Sequence, residues 1–356
     1  MKARLLVLRA GSPSTNNLIR SLKAGDRRWF IAGCHDDEFM LKRSLANRNF
    51  ILPASGSGAF LEKVRTLIRR ECIDLVIPNS EPDVMKISKV RNALGCRTFL
   101  PRQAVLQRCR DKYALGRFLE RRGLPVPETY LVKSPADVAR IFRRFPLANE
   151  LWCRVRNGSG SFGATAVQTP PQARSWIEYW QEVQRVRPGS FTLSEFLPGR
   201  DLTVQCLFSS GELLAAKMHE RQRYHVLNGL PSGVSSTAAL AKMLHEQPLL
   251  DLAVTAVRCL DAHTSGVYFV DLKEDLHGTP RITEINAGRF ANVPTIHDAF
   301  AAHNMAAAYV RAALGQPLAI DTPAADMRDC YVMRGLDMTP TVLRGCDLFR
   351  GVRDMR

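Results

Sequence analysis

The sequence predicts an α/β fold followed by an α+β region: a parallel sheet first, then a small antiparallel unit, then a larger sheet ending in a polar hairpin. Three observations predict it. The first hundred residues alternate short apolar runs with amphipathic segments, which is the pattern of βαβ units. The stiff stretch "LPVPE" then separates that pattern from a different one, because the residue before a proline is biased away from helix. Finally, "SGVYFVDLKEDLHGTPRITEINAGRF" reads as two strand runs around a turn at His277 and Gly278.

The elements follow in order. "RLLVLRAG" is a buried strand ending at Gly11, and "STNNLIRSLKAG" is the helix after it. "RRWFIAGC" and "NFILPA" are the next strands, followed by the helix "FLEKVRTLIRREC", the strand "IDLVIPNSE" and the helix "DVMKISKVRNAL". The strand ends carry small or polar residues (Gly11, Ser12, His35, Asp36, Asn79, Ser80, Glu81), where ligands of Rossmann-like sheets sit. One helical stretch leads to Gly123. Beyond the linker come the strand "TYLVKS", the helix "PADVARIFRRF", the strands "LWCRVRN" and "ATAVQT", and the helix "PQARSWIEYWQEV". "FTLSEFLPGRDLTVQCLFSSGELLAAKMHERQR" reads as antiparallel strands with a hairpin at Ser209 to Gly211, and a long loop then leads to helices through about Ala262.

Composition narrows the class. The 356 residues are 46% hydrophobic and 24% charged, as in globular proteins. No run has the length of a membrane span, and "MKARLLVLRAG" lacks a signal-peptide cleavage pattern. The nine cysteines include no C-x-x-C pair, which suits a reducing cytoplasm better than a disulfide framework or a zinc site. The net charge of +16 keeps a polyanion partner open. The arginines, however, are scattered without aromatic interleaving, which argues against a nucleic-acid face.

Two segments carry chemistry. In "CRVRNGSGSFGATAV" the glycines are those of a phosphate loop, yet no Gly-Lys-Ser/Thr follows them and the loop lies between two strands. In the last hairpin, side chains alternate faces, so Glu284 and Asn286 point the same way. A register symmetric about the turn places Asp271 opposite Glu284. Two carboxylates and an amide oxygen on one face repel each other unless a cation lies between them, and magnesium suits such oxygen ligands.

Taken together, these segments resemble the ATP-grasp superfamily, in particular one synthetase unit of the carbamoyl-phosphate synthetase large subunit, over about residues 1 to 315. The resemblance implies a pre-ATP-grasp Rossmann-like domain (1–108), an ATP-grasp domain (109–316, its lid at about 125–192) and a C-terminal extension (317–356). It implies ATP and Mg2+, with Mn2+ as an alternative. Lys112 in "RDKYALGRF" and Arg154 in the lid strand would approach the phosphates, the latter where many members have lysine. Ser159, Gly160, Ser161 and Gly163 would offer backbone N–H groups to the β- and γ-phosphates. Glu195, Phe196 and Leu197 would meet the adenine, and Asp201 the ribose. Gly233 and Ser235 would belong to a loop closing over the triphosphate. Asp271, Glu284 and Asn286 would bind the metal, and Arg289 would steady the transferred phosphoryl group or the substrate carboxylate.

The implied activity is that of a carboxylate–amine (or thiol) ligase working through an acylphosphate, on a small amino-acid-like carboxylate with an amine acceptor. One alternative is phosphorylation of bicarbonate or carbamate. Another, of a different class, is a non-catalytic basic module for nucleic acid. A homodimer is left open. Arg221 and Arg223 are further substrate-binding candidates, as is His297. His219 and His225 read as polar loop residues, Cys153 as core, and "YVMRGLDM" as a strand closing the large domain.

Overall fold

The computed structural model describes residues 2–158, 160–225, 235, 237–301, 303–318, 329–335 and 338–347. The chain begins with β1 (Arg4–Leu8), α1 (Pro13–Gly25), β2 (Phe30–His35), α2 (Glu38–Lys42), β3 (Arg48–Ile51), α3 (Phe60–Arg70), β4 (Leu75–Ile77) and α4 (Glu81–Val90). These strands pair in parallel in the order β3-β2-β1-β4. Leu5, Leu6 and Val7 are all fully buried, because helices cover both faces of the sheet. The sequence did not foretell α2, which is too short to show a period. Its cap is local: Asp37 accepts hydrogen bonds from the Phe39 and Met40 amides.

The helical stretch expected to run to Gly123 is two helices, α5 (Gln103–Arg110) and α6 (Lys112–Glu120). Asp111 breaks it, taking an extended conformation and capping α6 by accepting from the Ala114 amide. The small unit follows: β5 (Thr129–Val132), α7 (Pro135–Phe142), β6 (Leu151–Val155), β7 (Thr165–Val167), α8 (Pro170–Glu182) and β8 (Phe191–Glu195). Its antiparallel sheet, ordered β5-β8-β6-β7, has its own core around Val138, Ile141, Leu151, Cys153, Trp180 and Phe191.

The larger sheet comprises β9 (Asp201–Ser209), β10 (Glu212–Tyr224), β11 (Ala238–Leu244), then, after α9 (Gln247–Leu260), β12 (Gly266–Glu274) and β13 (Pro280–Ala287). The helices α10 (Asn292–Asp298) and α11 (Met305–Leu314) precede β14 (Cys330–Met333) and β15 (Thr341–Arg344). Among the described residues the strand order is β13-β12-β9-β10-β11-β14-β15. The expectation of helix after the long loop fails at β11. "AALAKML" consists largely of helix formers, but the free edge of β10 binds it as an antiparallel strand, and pairing overrides propensity. The expected strand near "YVMRGLDM" is β14, and β15 pairs on its outer side.

The two faces of this sheet differ. Leu202, Val204, Cys206 and Phe208 of β9, with Ala216, Met218, Tyr268, Val270 and Leu272, pack on α9, α5 and α6. Alternation therefore turns Asp201, Thr203 and Gln205, with Lys217, His219 and Arg221, and Asp271, Glu284 and Asn286, to the opposite face. α10 and α11 cover one end of that polar face and pack on α1 through Met305, Ala307 and Tyr309, which joins the first sheet to the large one.

Candidate active site

Asp271 of β12 pairs with Glu284 of β13, as the turn-centred register predicts, and Phe269 pairs with Asn286. On the other side Asp271 pairs with Thr203, and Thr203 with His219, so one row of polar side chains crosses four strands. Just beyond Glu284 the register slips, making a bulge at Thr283. The Thr283 carbonyl accepts from Arg154 Nη2 at 3.0 Å, and the Thr283 hydroxyl donates to the Asp271 carbonyl at 3.0 Å. The bulge is thus a point where the small unit's strand β6 touches the hairpin.

The Asn286 amide nitrogen lies between the two carboxylates, 3.2 Å from Asp271 Oδ2 and 3.0 Å from Glu284 Oε1. Both acids converge on one donor, and the nitrogen and oxygen ends of an amide differ only by a flip. With the oxygen turned inward, the three side chains form an oxygen donor set that fits a divalent cation. Among the described residues no group of three or more His, Cys, Asp or Glu could hold a metal, so such a site depends on this asparagine.

The electrostatics of the pair are unequal. Burial pushes the Asp271 carboxyl up to about 6, with Arg221 opposing and Glu284 adding to the rise. Burial acts on Glu284 as well, but Lys112 and then Arg154 outweigh it and hold that carboxyl well below the usual range. Lys112 Nζ is 3.1 Å from Glu284 Oε2 and also donates to the Gly158 carbonyl. Arg289 donates to Asn286 Oδ1, with its guanidinium 4.8 Å over the Phe269 ring. The structure therefore brings Lys112, Arg154 and Arg289 to the metal-type cluster. Arg154 Nε is buried there with no hydrogen-bond partner among the described residues.

Arg221 has a place that sequence reasoning did not foresee. Expected as a substrate contact, it bridges two acids: Nη1 lies 2.6 Å from Asp201 Oδ1, and Nη2 bonds Asp271 Oδ1. Tyr224 donates to the other Asp201 oxygen. Asp201 is thus neutralised from within the chain, and a cleft of about 400 Å3 opens beside it, lined also by Tyr224 and Lys273. Glu195, Phe196 and Leu197 lead from β8 toward this cleft. The Phe196 ring faces Trp152, and Lys273 Nζ lies 5.4 Å over it. Burial pushes the Glu195 carboxyl up, with Arg281 opposing.

The glycine loop joins β6 to β7. Gly160, Ser161 and Gly163 all have positive φ, at 67°, 61° and 66°. At Gly163 there is also no room, since a Cβ would lie 2.3 Å from the Val155 side chain. Trp176 Nε1 donates to the Gly163 carbonyl at 3.1 Å, and the Phe162 ring packs edge-on against Trp180 at 4.4 Å. The loop is tied to α6: the Lys112 amide donates to the Arg156 carbonyl, and Arg156 clamps Asp111 through two nitrogens. Asp111→Ala removes both the clamp and the α6 cap. It is expected to destabilise the fold by about 2 kcal/mol, the worth of a lost cap and a charged hydrogen bond. An unchanged midpoint in urea unfolding would contradict a role for this clamp.

Other candidates lie elsewhere. Ser159 and Gly233 fall outside the described residues. The Ser235 hydroxyl accepts from the Thr237 amide at 3.1 Å, beside β11. Arg223 is exposed at a bulge in β10. His219 is not a loop residue but a fully buried one within β10, with no partner for its Nδ1 among the described residues. His297, expected near the acceptor, is buried at the end of α10, where Nδ1 lies 3.1 Å from Lys217 Nζ. Lys217 also binds Asp298, which accepts from the Met305 and Ala306 amides.

These two histidines have a consequence for stability. Burial lowers the His219 pKa well below its usual value, with Arg221 adding to it, and burial with Lys217 lowers that of His297 to about 3. Below about pH 6.5 the unfolded chain binds protons that the folded chain refuses, so stability falls as pH falls, by up to about 1.4 kcal/mol per pH unit for each histidine. Urea unfolding at pH 7.5 and 5.5 measures the loss, and His297→Asn is expected to make the dependence shallower. An unchanged slope would show that His297 charges freely in the fold.

No protein-family model matches the chain. A probable alpha-L-glutamate ligase of Pseudomonas putida is 25% identical over 191 residues, 53% of this chain and 58% of the relative. A protein of the same description from Stutzerimonas stutzeri is 26% identical over 191 residues, again 53% and 58%. The chain thus spans little more than half the length of these curated relatives. An L-amino acid ligase from Bacillus licheniformis superposes with a TM-score of 0.67 at 15% identity, covering 93% of this chain and 79% of that one. An N5-carboxyaminoimidazole synthase from Aspergillus clavatus, in complex with ADP and its ribonucleotide, gives 0.69 at 15%, covering 93% and 82%. A biotin carboxylase from Campylobacter jejuni gives 0.71 at 12%, covering 93% and 75%. At these identities the likeness to solved structures is one of fold.

Proposed function

We propose, from the ATP-grasp fold that this chain has and from the cluster on its last hairpin, that it is an ATP-dependent carboxylate–amine ligase. Its substrate in this reading is a small amino-acid-like carboxylate, activated as an acylphosphate and then attacked by an amine. The observation that carries the proposal is the convergence of Asp271, Glu284 and Asn286 with Lys112, Arg154 and Arg289. The curated relatives named as glutamate ligases support the class.

Phosphoryl transfer needs positioning and neutralisation of charge more than covalent catalysis. Lys112 and Arg154 hold the phosphate chain between the hairpin and the glycine loop. Arg289 holds the carboxylate or the phosphoryl group on the other side of Asn286. A magnesium ion held by Asp271, Glu284 and Asn286 supplies further neutralisation of the triphosphate when bound. The glycine loop, pinned by Trp176 and by the Asp111–Arg156 clamp, keeps water from an acylphosphate that hydrolyses readily. The test is release of ADP and phosphate from Mg-ATP with pooled amino acids and small carboxylates. Release that needs one pool is expected. Release with bicarbonate alone moves the reaction to bicarbonate phosphorylation. Absence of ATP binding overturns the proposal.

A further inference from the structure

Of the polar strand ends in the first sheet, where a ligand is expected, one turns to the chain itself. Asn79 lies between β4 and the Ser80 cap of α4, and only 7% of it is exposed. Its Oδ1 accepts from the Phe290 amide at 3.1 Å, and its Nδ2 lies 3.5 Å from Thr15 Oγ1 in the first turn of α1. The peptide that Asn79 holds is therefore the one between Arg289 and Phe290. On either side of it the segment is secured independently. The Gly288 amide donates to the Val267 carbonyl at 2.8 Å, at a φ of 80° where a Cβ would lie 2.8 Å from the Val84 side chain. The Ala291 amide donates at 2.6 Å to Oε1 of Gln205, which is fully buried in β9. The Phe290 ring is buried too, edge-on to Tyr309 at 5.2 Å.

We infer that Asn79 is a positioning residue: by holding the Phe290 amide it aims Arg289 at Asn286 and at the group that takes up the phosphate. The inference rests on the ligase reading. Without Asn79 the two ends of the segment and the Phe290 ring keep their anchors, so the fold there survives. The peptide between them, however, is left with a buried N–H and no acceptor, and it turns to find one. Turning it changes ψ of residue 289, which moves the arginine away from Asn286 Oδ1 and from the Phe269 ring. The first sheet thereby takes a share in the reaction without touching the nucleotide, through an asparagine at the end of β4 that Thr15 braces from α1.

The experiment is a double-mutant cycle, read as ADP release with the carboxylate pool that wild type uses. Asn79→Leu keeps the volume and removes the acceptor, and it is made alone and together with Arg289→Met. Alone it is expected to lower kcat about 100-fold, as a misplacement of about 1 Å does, with the calorimetric Kd for Mg-ATP within about twofold of wild type. Asn79→Asp keeps the acceptor and should recover part of the loss. In the Arg289→Met background Asn79→Leu should cost no more than about twofold, because a residue that acts through another has nothing left to position. Asn79→Ala takes its place in the cycle if Asn79→Leu does not fold. An equal loss in both backgrounds, the mark of a merely structural asparagine, overturns the inference while leaving a ligase, as does an unchanged kcat in Asn79→Leu. No release from wild type with any pool overturns the ligase reading, and the inference with it.

Discussion

Glu284→Gln is expected to lower turnover by about 1000-fold, comparable to the loss of one preorganised electrostatic contact in a reacting site. Glutamine keeps the volume and one oxygen, so packing at β13 changes little, while the charge that Lys112 and Arg154 face disappears. Two half-buried cations then confront Asp271 alone, and the cluster has a single carboxylate for a divalent ion. Both effects act on Mg-ATP more than on ATP, because metal affinity rather than adenine contact is lost. Steady-state ADP release and a magnesium titration of the variant check this. Turnover within about tenfold of wild type would mean that the hairpin is not where charge is neutralised.

Arg221→Met is expected to have the second large effect, on stability. The arginine is nearly buried and holds Asp201 and Asp271 together, and breaking such a pair from one side leaves uncompensated acids at a cost of about 3–5 kcal/mol. The sign of the metal response follows. Asp271 without Arg221 is a more demanding anion, so a cation at the cluster should restore more stability to the variant than to wild type. Thermal unfolding with and without millimolar Mg2+ reads the difference. An equal magnesium shift in the two proteins would separate Arg221 from the metal-type site.

Much of this site was legible because its signals are local. The pairing of Asp271 with Glu284 follows from period-two alternation on either side of a tight turn at His277 and Gly278. The bulge at Thr283, which hands its carbonyl to Arg154, leaves no mark that alternation can show. The glycine loop was legible from composition, but its anchorage to Asp111 through Arg156 joins residues far apart in the chain. Lys217, His219 and Arg221 carried a readable signal: they alternate with Ala216 and Met218 as a strand buried on both faces does. The run was read as strand, but His219 was also read as a polar loop residue, and the polar face of the sheet was missed. β11 misled for the opposite reason, since its residues favour helix and only the open edge of β10 makes them a strand.

The most direct measurement follows the oxygen of the carboxylate. Amino acids labelled with 18O in the carboxyl group are turned over with Mg-ATP, and the released phosphate is examined by mass spectrometry. If the carboxylate attacks the γ-phosphate to form an acylphosphate, and an amine then displaces phosphate, one labelled oxygen leaves with each phosphate. Unlabelled phosphate, or label found in AMP, would contradict the ligase chemistry assigned to this hairpin.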